Sequence, residues 1–422
     1  MLLQPFIEVI DDADKLNFSA SQVSNWPGYT RRFNLSTNGP LEAINIIVTL
    51  TMKAVAANQV LTFGLPNFLK RATLNVHDHL GDQYDACVAS GPGLLGLQML
   101  EGLPLEPATI QSIWCSNANR GSAGNSIVAG EVYRIHYRIN CSHPGLRGYL
   151  AARSYLHTQR HKQEPLLVLD LASTTEMFAG TADPFSAVQL EIFTERREIT
   201  DALTDQLINS NGGLIKWDVR ETQQSYASGF TAKQQKFELP GGREYASLFL
   251  WHEANGTDLE DLSGNVTIGT ETLWQLKAAS TTKTTFRMKY LQMLMSQSRG
   301  QHVAAAPYPL SDALPVDLDG KTSGTALVTA KLLSHPFVLG GTMTSGLAIQ
   351  EPACIGIDFI RDGNAPVDEL SSTLNARFAG DTKWAFVGEI TTPGSTPSWI
   401  KACCRSYLSD ISVFKRLPTI GA

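Results

Sequence analysis

The chain has 422 residues, more than one hydrophobic core usually contains, so we expect two domains. Charged residues make up only 18% of the sequence and the formal net charge is −6. This composition argues against direct coating of nucleic acid, which usually needs a basic protein or a basic patch, and it favours a surface partly buried against neighbours. No stretch of 18 apolar residues is present, so the sequence predicts no membrane-spanning helix.

Short segments of alternating apolar and polar residues, bounded by turn residues, dominate the chain. They predict strands at residues 44–52, 72–76, 131–140, 166–171 and 188–193, and then at 214–219, 246–252, 266–268, 355–360, 374–378 and 384–390. Helices are predicted only at 94–101, 200–208 and 285–297. Many short strands separated by long loops indicate β-sandwiches, so the predicted fold class is all-β with a few short helices in loops.

The two halves of the chain repeat one another in sequence. Phe-Asn-Leu at 33–35 precedes the strand at 44–52, and Phe-Glu-Leu at 237–239 precedes the strand at 246–252. A further strand follows in each half, at 72–76 and 266–268, and then the tetrapeptide Leu-Gln-Met-Leu, at 97–100 and 291–294. The polar segment 209–213 lies between the copies. We therefore predict two consecutive eight-stranded sandwiches, at residues 1–210 and 214–422. The alternative is two unrelated β domains, or one large β domain.

Several short motifs resemble ligand sites but fail the requirements of those sites. Gly91, Gly93 and Gly96 match the spacing of a dinucleotide fingerprint, but they lack the parallel βαβ context, and a turn leading into a short helix is the favoured reading. The segments 317–320 and 320–322 lack the remaining residues of a calcium loop and of a phosphate loop.

Histidine pairs and basic runs also have ordinary explanations. His77 and His79 lie on one face of a strand without a third metal ligand, so we read them as a polar strand end. The basic run at 157–162 is too sparse for a lipid site and is interpreted as a solvated loop. The sequence thus offers no catalytic, cofactor-binding or metal-binding residue, and the chain is not predicted to be an enzyme.

The six cysteines are few, scattered and without a C-x-x-C spacing, which favours free thiols in a protein made in a reducing cytoplasm. They are Cys87, Cys115, Cys141, Cys354, Cys403 and Cys404. The adjacent pair at 403 and 404 should face opposite sides of one strand and is not expected to form a disulfide with itself.

The segments at 28–35, 39–48 and 65–76, with the repeat, resemble the major capsid proteins of tailless icosahedral viruses, which carry two jelly rolls in one chain. The resemblance implies two upright jelly rolls per chain, a homotrimer of pseudo-hexagonal outline, and contacts with neighbouring capsomers and with minor capsid or vertex proteins. It implies a place in the virion shell after synthesis in the host cytoplasm. In many relatives an internal membrane lies beneath the shell, and the N-terminal segment faces it.

Two alternatives remain open from the sequence. A carbohydrate-binding or carbohydrate-active β-sandwich protein could use tryptophans to stack on sugars, although we expect most of the seven tryptophans to pack in cores. A phage spike or tail protein would usually show fibrous repeats, and the sequence contains none.

Overall fold

A computed structural model describes most of the first half of the chain and the principal strands of the second half. The described residues are 5–9, 16–18, 26, 28–53, 65–77, 81–103, 105–106, 108–109, 112, 129–146, 148–178, 183–209, 213–226, 233–240, 244–254, 267–268, 273–278, 281–287, 354–360, 374–375, 384–391 and 398–407. No helix within these ranges is long and apolar enough to cross a membrane.

The first half of the chain supplies nine strands. They are β1 (Pro5–Val9), β2 (Leu16–Phe18), β3 (Thr30–Asn34), β4 (Leu41–Met52), β5 (Leu69–His77), β6 (Gln83–Ala89), β7 (Val132–Asn140), β8 (Gln163–Leu171) and β9 (Phe185–Arg197). One sheet has the order β1-β9-β4-β7, with β2 also paired to β9, and the other contains β3-β8-β5-β6. With β2 set aside, the eight strands are ordered 1-8-3-6 and 2-7-4-5, all antiparallel, which is the arrangement of a jelly roll.

The second half repeats this arrangement strand by strand. Its strands are β10 (Trp217–Tyr226), β11 (Lys233–Glu238), β12 (Glu244–Ala254), β13 (Thr267–Ile268), β14 (Leu273–Ala278), β15 (Thr281–Arg287), β16 (Cys354–Asp358), β17 (Leu374–Asn375), β18 (Trp384–Thr391) and β19 (Ser398–Tyr407). The orders β10-β19-β12-β16 and β11-β18-β14-β15 are again 1-8-3-6 and 2-7-4-5, with β13 and β17 as additions. The two halves are therefore two jelly rolls of one topology, and the predicted fold class is confirmed.

Two irregularities in strand register fall at equivalent places in the two halves. The pairing of β4 with β9 shifts between Leu41 and Ala43, and the pairing of β12 with β19 shifts between Tyr245 and Ser247. The pairing of β5 with β6 shifts after Leu74, and that of β14 with β15 shifts after Leu276. These shifts align the halves residue by residue, with Ala43 equivalent to Ser247. Phe33 in β3 and Phe237 in β11 lie on equivalent strands, as the repeat predicted.

The first sandwich is filled by the alternating apolar residues of its strands. In β4, Ile44, Ile46, Val48 and Leu50 are fully buried, while the residues between them face the other side of the sheet. Trp26 closes the core by stacking on Phe68 and meeting Phe185 edge-on, with ring centroids 5.4 and 5.1 Å apart. Burial of each such large side chain contributes about 1.5–3 kcal/mol to folding.

The described connections contain three α-helices: α1 (Gly91–Leu100), α2 (Gly148–Ser154) and α3 (Asp201–Asn209). The helices predicted at 94–101 and 200–208 are confirmed within a few residues. The helix predicted at 285–297 is wrong for residues 285–287, which belong to β15, because a threonine-rich segment favours a strand and pairs with β14. Residues 288–297 lie outside the described ranges.

Two strand predictions need correction. The segment 266–268 is not the counterpart of β5: its residues 267–268 form β13, and the strand equivalent to β5 is β14, because β14 pairs with both of its expected neighbours. The strand predicted at 214–219 begins only at Trp217, since the backbone N–H of Ile215 donates instead to the carbonyl of Arg153.

Candidate functional site

The two sandwiches meet along one strand pair that makes a continuous nine-stranded sheet. Strand β6 of the first sandwich pairs in parallel with β10 of the second, with Val219 opposite Cys87 and Arg220 opposite Val88. All other pairings among the named strands are antiparallel. We call the contact formed by β6, α1, β10, β12 and β19 the junction. Buried polar and apolar residues of both sandwiches meet there, and we take the junction as the candidate functional site.

Helix α1 lies at the centre of the junction. It begins at Ser90, whose side chain accepts a hydrogen bond from the N–H of Gly93, and Pro92 occupies its first turn. All ten of its residues are buried. A helix that is apolar on every side must be enclosed by protein, and α1 is enclosed by β5 and β7 of its own sandwich and by β12 and β19 of the other.

The three glycines of the near-fingerprint at 91–96 have a packing role in α1. A Cβ on Gly91 would lie 2.2 Å from the carbonyl oxygen of Pro66, and one on Gly96 would lie 2.2 Å from the ring of Phe249 in β12. A Cβ on Gly93 would lie 2.9 Å from a carboxylate oxygen of Glu221 in β10. The reading of this motif as a turn into a short helix is confirmed. Gly93 and Gly96 allow α1 to approach the second sandwich closely, and Gly91 allows its close contact with the first.

A buried ion pair links the end of α1 to the second sandwich. Arg405 in β19 donates to the Glu101 carboxylate at 2.5 and 3.1 Å and to the carbonyl of Asn140 at 2.9 Å. The hydroxyl of Ser247 in β12 donates to Glu101 at 2.7 Å. Burial alone would lower the pKa of Arg405, but the facing Glu101 carboxylate outweighs it and raises that pKa, so the guanidinium stays charged.

Further polar contacts cross the junction on either side of this pair. The backbone N–H of Ser90 donates to Glu221 at 2.8 Å, and the indole N–H of Trp217 donates to the carbonyl of Ser154 at 2.9 Å. The imidazole of His143 lies 3.1 Å from the carboxylate of Asp358, and both side chains are fully buried. Because each contact joins residues of different sandwiches, the junction specifies one relative placement of the two.

Among the described residues, four of the six cysteines are buried free thiols, and three of these lie in strands of the junction: Cys87, Cys403 and Cys404. Burial raises the pKa of Cys87 to about 12, and burial likewise raises the pKa of Cys403. Such thiols stay protonated and unreactive at neutral pH. Cys141 and Cys404 are also buried and free, which agrees with the free thiols predicted from the sequence for these four positions.

Helix α1 covers one face of strands β12 and β19 in the second sandwich. The equivalent face of the first sandwich, on β4 and β9, contains a polar network of its own. Asn45, Phe193 and Glu195 take the places of Phe249, Cys403 and Arg405 in the aligned registers. The Glu195 carboxylate accepts from Asn45 at 2.9 Å and from Arg138 at 2.8 Å. This face therefore pairs its charges within one sandwich, whereas Arg405 depends on Glu101 from the other.

His136 lies in the same network. Its Nε2 is 2.7 Å from the amide oxygen of Asn45, and its ring stacks on Phe193. Burial, together with the positive charges of Arg138 and Arg134, lowers the pKa of His136 to about 4, and the Glu195 charge opposes this only in part. The imidazole is thus neutral in the folded protein at physiological pH.

A cleft of about 680 Å³ opens beside the junction, between β5, β8 and β10. Four of its five charged groups form ion pairs: Lys70 with Glu176 at 2.9 Å and Arg71 with Asp170 at 2.8 Å. The fifth, Glu221, accepts a hydrogen bond from the backbone N–H of Ser90. Burial raises the pKa of Glu176, but hydrogen bonds from Ser173 and Lys70 outweigh burial and lower it, so this carboxylate stays ionised. An ionised, paired carboxylate is not poised to act as a general acid.

Other segments considered from the sequence have structural roles or lie outside the described residues. In the basic run at 157–162, the His157 imidazole lies 2.7 Å from the carbonyl of Ala152, and Arg160 pairs with Asp205. His77 ends β5, whereas residues 79 and 317–322 lie outside the described ranges. Within those ranges no cluster of three metal-binding side chains occurs.

Sequence reasoning did not identify Glu101 or Arg405. They lie 304 residues apart, so neither pattern nor spacing relates them. A signal was nevertheless present in the glycines at 91–96, since three glycines in an otherwise apolar helix indicate close packing.

No protein-family profile and no curated protein sequence matches the chain. Solved structures do. "Crystal Structure of the STIV MCP" is matched with a TM-score of 0.57 at 12% identity, over 99% of this chain and 100% of that one. The structure "Life in the extremes: atomic structure of Sulfolobus Turreted Icosahedral Virus" is matched with a TM-score of 0.55 at 12% identity, over 96% and 91% of the two chains. Likenesses at this identity establish a shared fold.

Gly96→Ala should destabilise the junction by about 1–3 kcal/mol, because the added methyl group would overlap the ring of Phe249. Gly93→Ala is the matched control on the same helix and should cost less, since its added Cβ would meet Glu221 at 2.9 Å and Cys403 at 3.1 Å, rather than an aromatic ring at 2.2 Å. Thermal unfolding is the measurement. Adding Phe249→Leu to Gly96→Ala should recover part of the loss, and purely additive losses would contradict the proposed overlap.

Glu101→Leu should destabilise the protein by about 3–5 kcal/mol, because it leaves the buried Arg405 guanidinium without a counter-charge. The double variant Glu101→Leu with Arg405→Met should be more stable than Glu101→Leu alone. Arg71→Met, which breaks an exposed pair, should cost about 1 kcal/mol or less. Denaturant unfolding tests this, and equal losses for Glu101→Leu and Arg71→Met would contradict the role of the buried pair.

Stability should fall as the pH falls from 6.5 towards 4, through His136. Its folded-state pKa of about 4 lies below the unfolded value near 6.5, so the unfolded chain binds the extra proton in this window. Between pH 7 and pH 5 the loss should be about 2 kcal/mol. His136→Gln should make this pH dependence shallower, as measured by melting temperature across the window. An unchanged slope would show that His136 is not responsible.

Proposed function

We propose that this chain is a major capsid protein, the shell subunit of an icosahedral virion. One observation supports this most strongly: the chain contains two jelly rolls of identical topology joined in one placement by a buried junction. The two solved structures of the same fold are described as an MCP and as part of an icosahedral virus. The likeness establishes the fold, and the function is our inference from it.

Two equivalent sandwiches in one chain are suited to building a closed shell. Forming the junction between them costs no translational or rotational entropy of association, because both sandwiches belong to one chain. Three such chains around an axis place six similar sandwiches side by side, so we propose a homotrimer of pseudo-hexagonal outline that packs against neighbouring capsomers. The low charged fraction of 18% suits extensive burial between chains.

The division into residues 1–210 and 214–422 remains our proposal for the domain boundaries. It is supported by α3, which ends at Asn209, and by β10, which begins the second jelly roll at Trp217. The remaining proposals follow from the capsid assignment. They are contacts with minor capsid or vertex proteins, an internal membrane near the N-terminal segment, no sequence-specific nucleic-acid binding, and residence in the virion after synthesis in the host cytoplasm.

We propose that the chain has no enzymatic activity. The alternative of a carbohydrate-active sandwich depends on tryptophans that can stack on sugar rings. Trp26 and Trp217 are fully buried and Trp251 is 2% exposed, so these three pack in cores or at the junction. In the cleft beside the junction, two acids are held in ion pairs with Lys70 and Arg71, and the third, Glu221, accepts a hydrogen bond from the backbone N–H of Ser90.

The purified chain should sediment as a trimer, at three times the chain mass of 45.9 kDa, and should form shell-like particles under assembly conditions. Analytical ultracentrifugation and electron microscopy measure this, and a panel of polysaccharides tests the alternative in parallel. A stable monomer at micromolar concentration, or turnover of any glycan at enzyme-like rates without particles, would contradict the capsid assignment.

A further inference from the structure

Each of the two strands that pair at the junction has a counterpart in the other sandwich. Strand β1 is the first-sandwich equivalent of β10, and β15 is the second-sandwich equivalent of β6. Strands β6 and β10 pair with one another, whereas β1 pairs only with β9 and β15 only with β14 within the described residues. Within the described part of the chain, each jelly roll thus uses one of its two junction strands, and one edge strand of each kind has no second strand beside it.

The aligned registers identify the residues that correspond across the two halves. Val219 lies opposite Arg405, and Ile7 lies opposite Glu195, the residue equivalent to Arg405. Ile7 is therefore the counterpart of Val219, which faces Cys87 in the junction.

The other side of the junction aligns in the same way. Cys87 lies opposite Leu74, the last residue before the register shift between β5 and β6. Thr284 lies opposite Leu276, the last residue before the corresponding shift between β14 and β15. Thr284 is therefore the counterpart of Cys87, and Thr285 is the counterpart of Val88.

The exposed fraction of one side chain differs between β10, which is paired in the junction, and its counterpart β1. Val219 is 2% exposed, whereas Ile7 is 67% exposed. Ile7 and Val132 are the exposed large hydrophobic residues among the described side chains. The counterpart of Ile7, Val219, is buried because the junction covers it. An exposed isoleucine at the same position is expected if a second chain covers β1. A free edge strand of this kind is a template for pairing with another chain.

We propose that β1 of one copy pairs in parallel with β15 of a second copy, repeating the contact of β6 with β10. In this pairing Ile7 lies opposite Thr284 of the second copy, and Glu8 lies opposite Thr285. The inference rests on the proposed self-assembly and names the strands that carry it. The contact is head-to-tail, so its repetition makes a ring if the rotation closes. If the rotation from each sandwich to the next is a sixth of a turn, the six sandwiches of three chains complete the ring.

The charges on the first sandwich suit a contact that forms after folding. At the internal junction, Arg405 obtains its counter-charge from Glu101 of the other sandwich. At the equivalent place, Glu195 obtains its counter-charge from Arg138 of the same sandwich. The charge of Glu195 is therefore already compensated before a second copy binds, and apolar contact and strand pairing supply the attraction.

Cross-linking tests the proposed register. The double variant Ile7→Cys with Thr284→Cys should form disulfide-linked dimers and trimers on mild oxidation. Directly opposed strand residues lie about 4.8 Å apart, within disulfide range. The pair Ile7→Cys with Thr285→Cys is the matched control and should cross-link at least tenfold less, because adjacent strand residues face opposite sides. Each single variant controls for the native thiols.

A second experiment tests the same edge without cysteines. Ile7→Asp should weaken self-association on the order of ten- to a hundredfold, since burial of an isoleucine is lost and a charge is added. Val132→Asp, at the other exposed apolar residue, should change association by no more than a few fold. Sedimentation at several concentrations measures both. Both variants should keep the wild-type melting temperature, because both sites are exposed in the single chain.

The outcomes separate this inference from the capsid assignment. Trimers without the Ile7–Thr284 cross-link, or with Ile7→Asp harmless, would overturn the strand pairing and leave the capsid assignment standing. A wild-type chain that stays monomeric under all assembly conditions would overturn both. Equal cross-linking of the Thr284 and Thr285 pairs would overturn the register.

Discussion

Burial of α1 between the two jelly rolls is the constraint on which the rest of the structure depends. Every residue of the helix is buried, and its glycines at 91, 93 and 96 allow contacts that any side chain would block. The helix belongs to the first sandwich, yet Phe249 and Cys403 of the second form part of its surroundings. Neither sandwich could expose this contact to water without a large loss of hydrophobic stabilisation. The junction is therefore part of the folded core.

Charge makes the junction specific as well as stable. The pair of Glu101 with Arg405 is almost completely buried, and its hydrogen bonds to Ser247 and to the carbonyl of Asn140 satisfy further polar atoms. A buried pair of this kind adds little net stability over an apolar contact, but a misplaced partner would leave a charge without compensation. Displacement of one sandwich against the other is penalised for this reason. A shell subunit benefits from such a fixed spacing between lobes.

The sequence anticipated the fold better than it anticipated the contacts. Alternation of apolar residues identified β4, β7 and β9, because a half-buried strand leaves a period of two. Pattern reading failed at β15. Apolar residues at helical spacing in 285–297 predicted a helix, although residues 285–287 belong to the strand that pairs with β14. Pattern reading also took β13 instead of β14 as the second-half equivalent of β5, because the two-residue strand β13 resembles the start of a longer strand.

What the sequence by itself determined was the class of the protein: β-sandwiches, duplicated, with few charges and no recognisable catalytic motif. Local patterning and composition carry that information, since each strand and turn is specified by its own residues. Only the tertiary structure decided that β6 pairs with β10, that Glu101 meets Arg405 and that Ile7 occupies the position of Val219. These contacts join residues far apart in the chain, and their positions depend on how two sandwiches pack, which no local pattern encodes.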